Sequence, residues 1–332
     1  MRVLITGGAG FVGSHLAEAF LQRGDEVTVL DAGTDHKVCH LLAQPRFRFV
    51  RGSVLDNKVL DWLVGEADLI YHLAAVVGVE HYVSNPLKVL QVNVNGTQNV
   101  LRAAFGHGCK VVFGSTSEVY GRNGRVPWGE DDDRVLGSTR VDRWCYATSK
   151  AVGEHFCFAY HRLGLPVTVL RFFNVYGPRL DSLCSGRVVS VFLGQALRQE
   201  PITVTGDGTQ TRCFTYIADC IRATVAAGVQ TGTEGEIFNI GTDVETKIVD
   251  LARLIVKLTG SCSEIRFVSH AELYGSRYED VPRRVPDVSK MRKILRVEAM
   301  TPLAEGLRHT IAWFRAQGVE QTGAAVGYAF GS

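Results

Sequence analysis

Tyr146 and Lys150 stand four residues apart in Tyr-Ala-Thr-Ser-Lys, so on a helix both side chains leave from one face. A free tyrosine has a pKa near ~10 and is a poor base at neutral pH. An ammonium at roughly 4 Å, at an effective dielectric of about 20, favours the phenolate by roughly 4 kcal/mol, or about three pKa units. That makes Tyr146 a working base for a hydroxyl group. Upstream, a strand-like run ends in Ser115-Thr116-Ser117-Glu118, where Thr116 can share and orient the same substrate oxygen. Tyrosine/lysine pairs at this spacing also occur on solvated helix faces, so the pair gains meaning only with a second motif.

The start of the chain supplies one. The run 2–6 leads into Gly7-Gly8-Ala9-Gly10-Phe11-Val12-Gly13 and then into a helical pattern. Glycines at 7, 10 and 13 permit a tight turn, a close approach of backbone N–H groups to a pyrophosphate, and packing of helix on strand. Asp31 ends the second strand-like run, about twenty residues on. Its carboxylate suits a ribose diol and repels a 2′-phosphate, and Ala32 and Gly33 bring no arginine to reverse that preference. The expected cofactor is NAD, whose oxidised ring would add a second positive charge favouring the Tyr146 phenolate.

Strands and helices must position these groups. Apolar strand-like runs occupy 2–6, 27–31, 46–51, 68–74, 110–116 and 167–172, with amphipathic stretches such as 12–24, 88–106 and 146–164 between them. Val/Ile/Leu-rich strands joined by helical crossovers predict a doubly wound parallel α/β sheet of the Rossmann type, with ligands at the carboxyl ends of its strands. One more strand, 236–241, can return to the sheet. The predicted NAD-binding domain is 1–174 plus about 214–241, and a smaller α/β substrate-binding lobe is about 175–213 plus 242–316. The Gly/Ala-rich tail 319–332 reads as loose.

Composition removes other classes. In 332 residues, 36 Lys and Arg face 34 acidic residues, a net charge of +2, which provides no field for nucleic acid or an anionic membrane. No apolar run approaches the ~20 residues of a bilayer span, and the start is unlike a signal peptide. The eight cysteines form no CxxC pair and read as buried hydrophobes in a reducing cytoplasm. No metal site is expected: Glu130-Asp131-Asp132-Asp133 read as a solvated loop and His72 as a satisfied core histidine. Trp62 and Trp313 read as packing residues.

The segments TGGAGFVGSH (6–15), HLAA (72–75), NVNGTQN (93–99), STSEVYG (115–121), YATSK (146–150) and RFFNVYGPR (171–179) resemble the extended short-chain dehydrogenase/reductase family, over about residues 1–316. Members of that family act on nucleotide sugars. The resemblance implies Thr116, Tyr146 and Lys150 as catalytic. It implies NAD contacts from Gly7, Gly10, Phe11, Val12, Gly13, Asp31, Val54, Leu73, Ala74, Ala75 and Asn93, besides Tyr146 and Lys150. It puts Asn174 at the nucleotide diphosphate and implies a homodimer through helices near 88–106 and 146–164. The family commonly has Gly-Asp after the third strand; here Gly52-Ser53 leaves Ser53 at the adenine position.

STSEVYG, SGRVVSVF (185–192), EPITVTGDGTQTRCFTYI (200–217) and RRVPD (283–287) resemble the UDP-glucuronate decarboxylases that make UDP-xylose. LYGSRYEDVPRRVPD (273–287), with RWCYATSK (143–150), is similar to the bacterial decarboxylases that release a UDP-4-keto-pentose. This likeness implies proton handling and sugar placement by Glu118, and Ser117 at the carboxylate end. It puts Arg212 at the diphosphate and sugar as a proton donor, Arg284 at UDP and Tyr82 near the sugar carboxylate. Arg179, Arg187, Val188, Thr203 and Thr205 would also line the substrate. The implied reaction oxidises C4, loses CO₂ from C6 and returns a proton to C5. Ser117 stands where related 4,6-dehydratases carry an acidic Asp, and Glu118 where 4-epimerases usually lack an acid. A UDP-hexose or UDP-hexuronate 4-epimerase and a non-catalytic NAD-binding regulator are the alternatives.

Overall fold

The computed structural model describes residues 1–180, 183, 186–269 and 280–318. The predicted loose tail, and parts of the segments 185–192 and 273–287, lie outside the described residues. The chain builds β1 (Arg2–Thr6), α1 (Phe11–Gln22), β2 (Glu26–Asp31), β3 (Phe47–Arg51), α2 (Asn57–Gly65), β4 (Leu69–His72), α3 (Val79–Ser84), α4 (Pro86–Leu90), α5 (Gly96–His107), β5 (Lys110–Thr116), α6 (Arg143–Arg162) and β6 (Val167–Phe172). Then follow β7 (Val175–Tyr176), α7 (Val188–Leu197), β8 (Ile202–Thr205), β9 (Thr211–Cys213), β10 (Thr215–Tyr216), α8 (Ile217–Val229) and β11 (Ile237–Ile240). The last elements are β12 (Glu245–Lys247), α9 (Ile248–Thr259), β13 (Ile265–Val268), β14 (Arg283–Arg284) and α10 (Leu303–Ala316).

Seven strands form one parallel sheet in the order β11-β6-β5-β4-β1-β2-β3. The order reverses next to β1, and the mouth at that reversal is where such sheets take their ligands. Strand side chains alternate between faces. Val3, Ile5, Val29 and Tyr71 pack on the side of α1 and α8, whereas Leu4, Leu30, Ile70 and Phe113 pack on the side of α2 and α5. The core on the α1 side runs without a break into α7, β8, α9 and α10, through Leu193, Ile202, Ile255 and Leu307.

The stretch 88–106 is not one regular helix: a π-helical turn at Gln91–Asn95 separates α4 from α5. Such turns widen the backbone and often mark functional sites. Trp62, expected to pack inside, is instead half-exposed, with the Arg48 guanidinium 5.2 Å from its ring and its indole N–H donating to Glu66. Helix α2 is short, and its inner face is already filled by Leu60, Leu63 and Val64.

Beneath the sheet mouth lies a buried ion pair. Arg171 on β6 donates twice to Glu154 on α6, at 2.9 and 2.7 Å, and the same carboxylate accepts from the Ser115 hydroxyl. Arg171 also reaches the Tyr120 hydroxyl at 2.9 Å, which donates to Asn239 at 2.7 Å. One guanidinium thus ties α6, β6, β11 and the turn after β5 together. Removing either charge of such a pair leaves the other uncompensated, at a cost of about 3–5 kcal/mol.

Candidate active site

The glycine turn is closed by contact. Gly7 has φ +73°, and a Cβ there would lie 2.6 Å from the Ala74 nitrogen, so the turn rests on the Leu73-Ala74 backbone. A Cβ on Gly13 would lie 2.4 Å from the Gly7 carbonyl oxygen, which lets α1 start tight against the turn. Helix α1 begins at Phe11 behind Gly10, with no side-chain cap and no acidic residue in its first turn. Its free N–H groups and positive end suit an anion. The Asp31 carboxylate is oriented by the N–H groups of Ala9 and Gly33, both at 2.9 Å. These groups fit a dinucleotide with an unphosphorylated ribose.

Ser53 uses its hydroxyl locally, accepting from Leu55 N–H, while buried Val54 packs against Gly96 and its carbonyl accepts from Asn99. Asn93, in the π-helical turn, accepts from Val76 N–H at 2.8 Å and donates to Ser149 at 3.1 Å, joining the segment after Ala75 to α6. His72 is a structural residue. The Thr97 hydroxyl donates to the Asn93 carbonyl, so His72 Nε2–H donates to Thr97 and its Nδ1 accepts from Thr6. Burial lowers its pKa to about 3 and keeps it neutral.

Arg143, Tyr146, Lys150 and Glu154 form one buried stripe on α6, at the spacing of successive helical turns, and face β5 and the turn behind it. Lys150 donates to the Gly114 carbonyl at 2.7 Å and lies over the Phe113 ring. Burial lowers its pKa to about 8, which leaves it charged at neutral pH. Thr116 accepts from Glu118 N–H and is hydrogen-bonded to the Tyr146 hydroxyl. Burial, and then the Glu118 charge, hold the Tyr146 phenol above its ordinary range, against the pull of Arg187 and Thr116. Tyr82 stacks on Tyr146 with ring centroids 4.7 Å apart and planes 10° from parallel, so the base is covered by an aromatic ring.

Glu118 accepts from Arg143 at 3.0 Å and from Arg284 at 2.5 Å. Burial would raise its pKa, but the two guanidiniums prevail and lower it to about 2. The carboxylate is therefore ionised, and it cannot donate a proton while both arginines hold it. This refines the proton-handling role expected for Glu118. Arg212 donates to Asp280 at 2.7 Å, and Arg143 and Arg284 lie 3.7 and 3.8 Å from the same carboxylate. Ser117 is buried in the turn between Thr116 and Glu118.

Thr116, Ser117, Glu118, Tyr146, Lys150, Tyr82, Arg212 and Arg284 thus belong to one connected site. Arg187 precedes α7 and Val188 begins it; the Arg187 guanidinium lies 5.7 Å from the Phe11 ring, between the glycine turn and Tyr146. Asn174, at φ +34°, donates to the Cys213 carbonyl beside Arg212. Arg179 is directed elsewhere: it binds His15 and Glu18 on α1 and His40 in the turn after β2. Its neighbour Gly177-Pro178 packs on α1 through His15, which brings the guanidinium there. Thr203 is engaged by Gln195, and the Thr205 carbonyl by Gln210. No described contact joins either to the arginine cluster.

Arg143 and Asp280 escaped the sequence reading. An arginine in the first turn of a helix opposes the helix dipole, and its place one turn before Tyr146 was the available signal. Asp280, four residues before Arg284 in an irregular segment, offered none. Among the described residues, no group of His, Cys, Asp and Glu is arranged to hold a metal. Asp132 caps Gly129 N–H, but Glu130, expected in a solvated loop, is half-buried and accepts from Asn239 N–H on β11, and burial raises its pKa.

Residues 3–241 match the model of the NAD dependent epimerase/dehydratase family. The chain is 42% identical over 315 residues to the UDP-N-acetyl-alpha-D-glucosaminuronate decarboxylase of Bacillus cytotoxicus, covering 95% of this chain and 98% of that protein. It is 40% identical over 320 residues to UDP-glucuronic acid decarboxylase 1 of Xenopus tropicalis, covering 95% of this chain and 72% of that protein. Among solved structures it resembles the UDP-glucuronic acid 4-epimerase of Bacillus cereus, in complex with UDP-glucuronic acid and NAD, with a TM-score of 0.85, 32% identity and coverage of 96% and 100%. With the glycine turn, Asp31 and the Tyr146/Lys150 pair in one sheet mouth, the chain belongs to the NAD-dependent epimerase/dehydratase family.

Proposed function

We propose that this chain is an NAD-dependent decarboxylase of a UDP-linked uronate, with UDP-glucuronate as substrate and UDP-xylose or a UDP-4-keto-pentose as product. One observation carries the reading: the buried guanidiniums of Arg143 and Arg284 converge on Glu118, two residues after the Thr116 that bonds the Tyr146 base, and Arg212 joins them through Asp280. Decarboxylation needs cations for the diphosphate and the sugar carboxylate beside a base for the C4 hydroxyl. Bound NAD supplies the hydride acceptor. Tyr146 takes the C4 hydroxyl proton, Thr116 holds the same oxygen, and Arg187 is the cation that favours the phenolate, while Lys150 stays bound to the Gly114 carbonyl one turn along α6. The resulting C4 ketone is β to the C6 carboxylate, so CO₂ leaves with its bonding electrons delocalised onto the ketone oxygen, and a proton returned to C5 converts that enolate to the 4-keto-pentose. Arg212 and Arg284 then orient the diphosphate and sugar. The sugar nucleotide would lie between the NAD-binding domain and the lobe of 175–213 and 242–316.

A cytoplasmic homodimer through α4, α5 and α6 fits this reading. Exposed Leu87, Leu90 and Phe105 on the first two helices support it, and among the described residues no helix is long and apolar enough to cross a membrane. The 4-epimerase reading shares Tyr146 and Lys150 and is favoured by the Bacillus cereus structure. NAD-loaded protein incubated with UDP-glucuronate, and in parallel with UDP-N-acetylglucosaminuronate, separates them. Release of CO₂ supports decarboxylation, whereas a six-carbon product inverted at C4 overturns it.

A further inference from the structure

The arginine cluster has an unusual order from inside to outside. Arg212 on β9 and Arg284 on β14 are register partners in a parallel ladder. Side chains in register leave the same face, so two guanidiniums stand side by side, with Arg143 from α6 as a third. Like charges so placed repel unless an anion lies between them. Two anions do: Glu118 touches Arg143 and Arg284, and Asp280 faces all three cations, closest to Arg212. Among the described residues, three cations face two carboxylates in this cluster.

Exposure gives the direction. The side chains of Arg143, Arg212 and Arg284 are 2%, 9% and 9% exposed, whereas those of Glu118 and Asp280 are 18% and 17% exposed. The carboxylates are thus more accessible to solvent than the guanidiniums they pair with. Glu118 is anchored by two arginines and by its place beside Thr116. Among the described residues, Asp280 has one short bond to a guanidinium and one to the Val281 N–H, and it lies outside any helix or strand. It is the easier of the two to displace.

We propose that Asp280 is a positioning residue that stands in for the substrate's anion, holding Arg212 aligned while the site is empty and yielding it when the nucleotide sugar binds. The inference rests on the decarboxylase reading for the identity of that anion. It holds equally for a diphosphate and for a sugar carboxylate, because both offer paired oxygens to a guanidinium. Asp280 acts by competing, so it lowers affinity for the ligand while keeping the cations buried and ordered.

The test uses NAD-loaded protein carrying Asp280→Asn, which keeps an oxygen acceptor for Arg212 and removes the charge. UDP binding, read by calorimetry, is expected to tighten about tenfold, with KM for UDP-glucuronate falling and kcat not rising. Tightening of UDP identifies the diphosphate as the displacing anion. Tightening of UDP-glucuronate alone identifies the carboxylate. Asp280→Glu, which restores the charge, is expected to bind within about twofold of the unmodified protein. Unchanged or weaker binding of both ligands by folded Asp280→Asn protein overturns the proposal. Should that variant not fold, Asp280→Ser carries the same expectation and the same contrary result. Tighter UDP binding without CO₂ release from any form would retire the decarboxylase reading and leave the role of Asp280 standing; CO₂ release with no tightening would do the reverse.

Discussion

The two halves of the sheet mouth prepare for ligands in opposite ways. At the glycine turn, readiness is built from backbone: Gly7 and Gly13 sit where a Cβ has no room, and α1 presents uncapped N–H groups. At the arginine cluster, readiness is built from charge: three buried guanidiniums are paired with two carboxylates, of which Asp280 is proposed to yield to the ligand. A backbone site has nothing to displace and tolerates no added atom. A charge-paired site tolerates changes in size but responds to every change in charge. Tyr146 lies between them, bonded to Thr116 and raised by the Glu118 charge.

The largest effect is expected at that junction. Tyr146→Phe should lower turnover by roughly three to four decades, at the upper end of what a general base contributes, with binding of both ligands retained by calorimetry. Loss of NAD binding in the same variant would mean that the two halves are not separable. Next comes the buried pair beneath them. Arg171→Met leaves Glu154 uncompensated and should cost about 4 kcal/mol of stability in a urea titration; a cost under about 1 kcal/mol would show that α6 is held to the sheet by packing alone.

Acid should weaken the molecule in two stages. His72 and Glu118 both have folded pKa values below their unfolded ones, so stability is full above the unfolded values and is lost as pH falls. His72 acts first, below about 6.5, where the unfolded chain takes a proton that the fold refuses; by pH ~4.5 this costs about 3 kcal/mol. Glu118 adds to it from about pH 4.5 down towards its folded value of about 2. Thermal midpoints that stay flat from pH 7 to 4 would contradict the neutral, doubly bonded His72. The smallest effect belongs to the backbone half. Gly13→Ala should weaken NAD by about 1–3 kcal/mol through overpacking against Gly7, with UDP affinity unaltered. An equal loss of UDP affinity would break the contrast.

The same contrast explains what could be read in advance. The strands 2–6, 110–116 and 167–172, the glycine turn and the Tyr146/Lys150 pair follow from local spacing, because periodicity and turn chemistry are local. The return of 236–241 to the sheet was legible as a strand in the same way. Arg143 and Asp280 were not legible, because their meaning depends on β9 and β14 bringing distant arginines into register. Arg179 had the residue type of an anion-binding group and still turned to Glu18, since its neighbour Pro178 packs on His15. Residue type and spacing define a site built within one βα unit; a site assembled from four segments requires the fold.

The most direct measurement of the central claim follows the carbon at C6. NAD-loaded protein incubated with UDP-glucuronate is expected to release CO₂ and leave a sugar one carbon shorter, as UDP-xylose or as the 4-keto-pentose with NADH retained. A product that keeps all six sugar carbons, whether inverted at C4 or unchanged, would contradict the account.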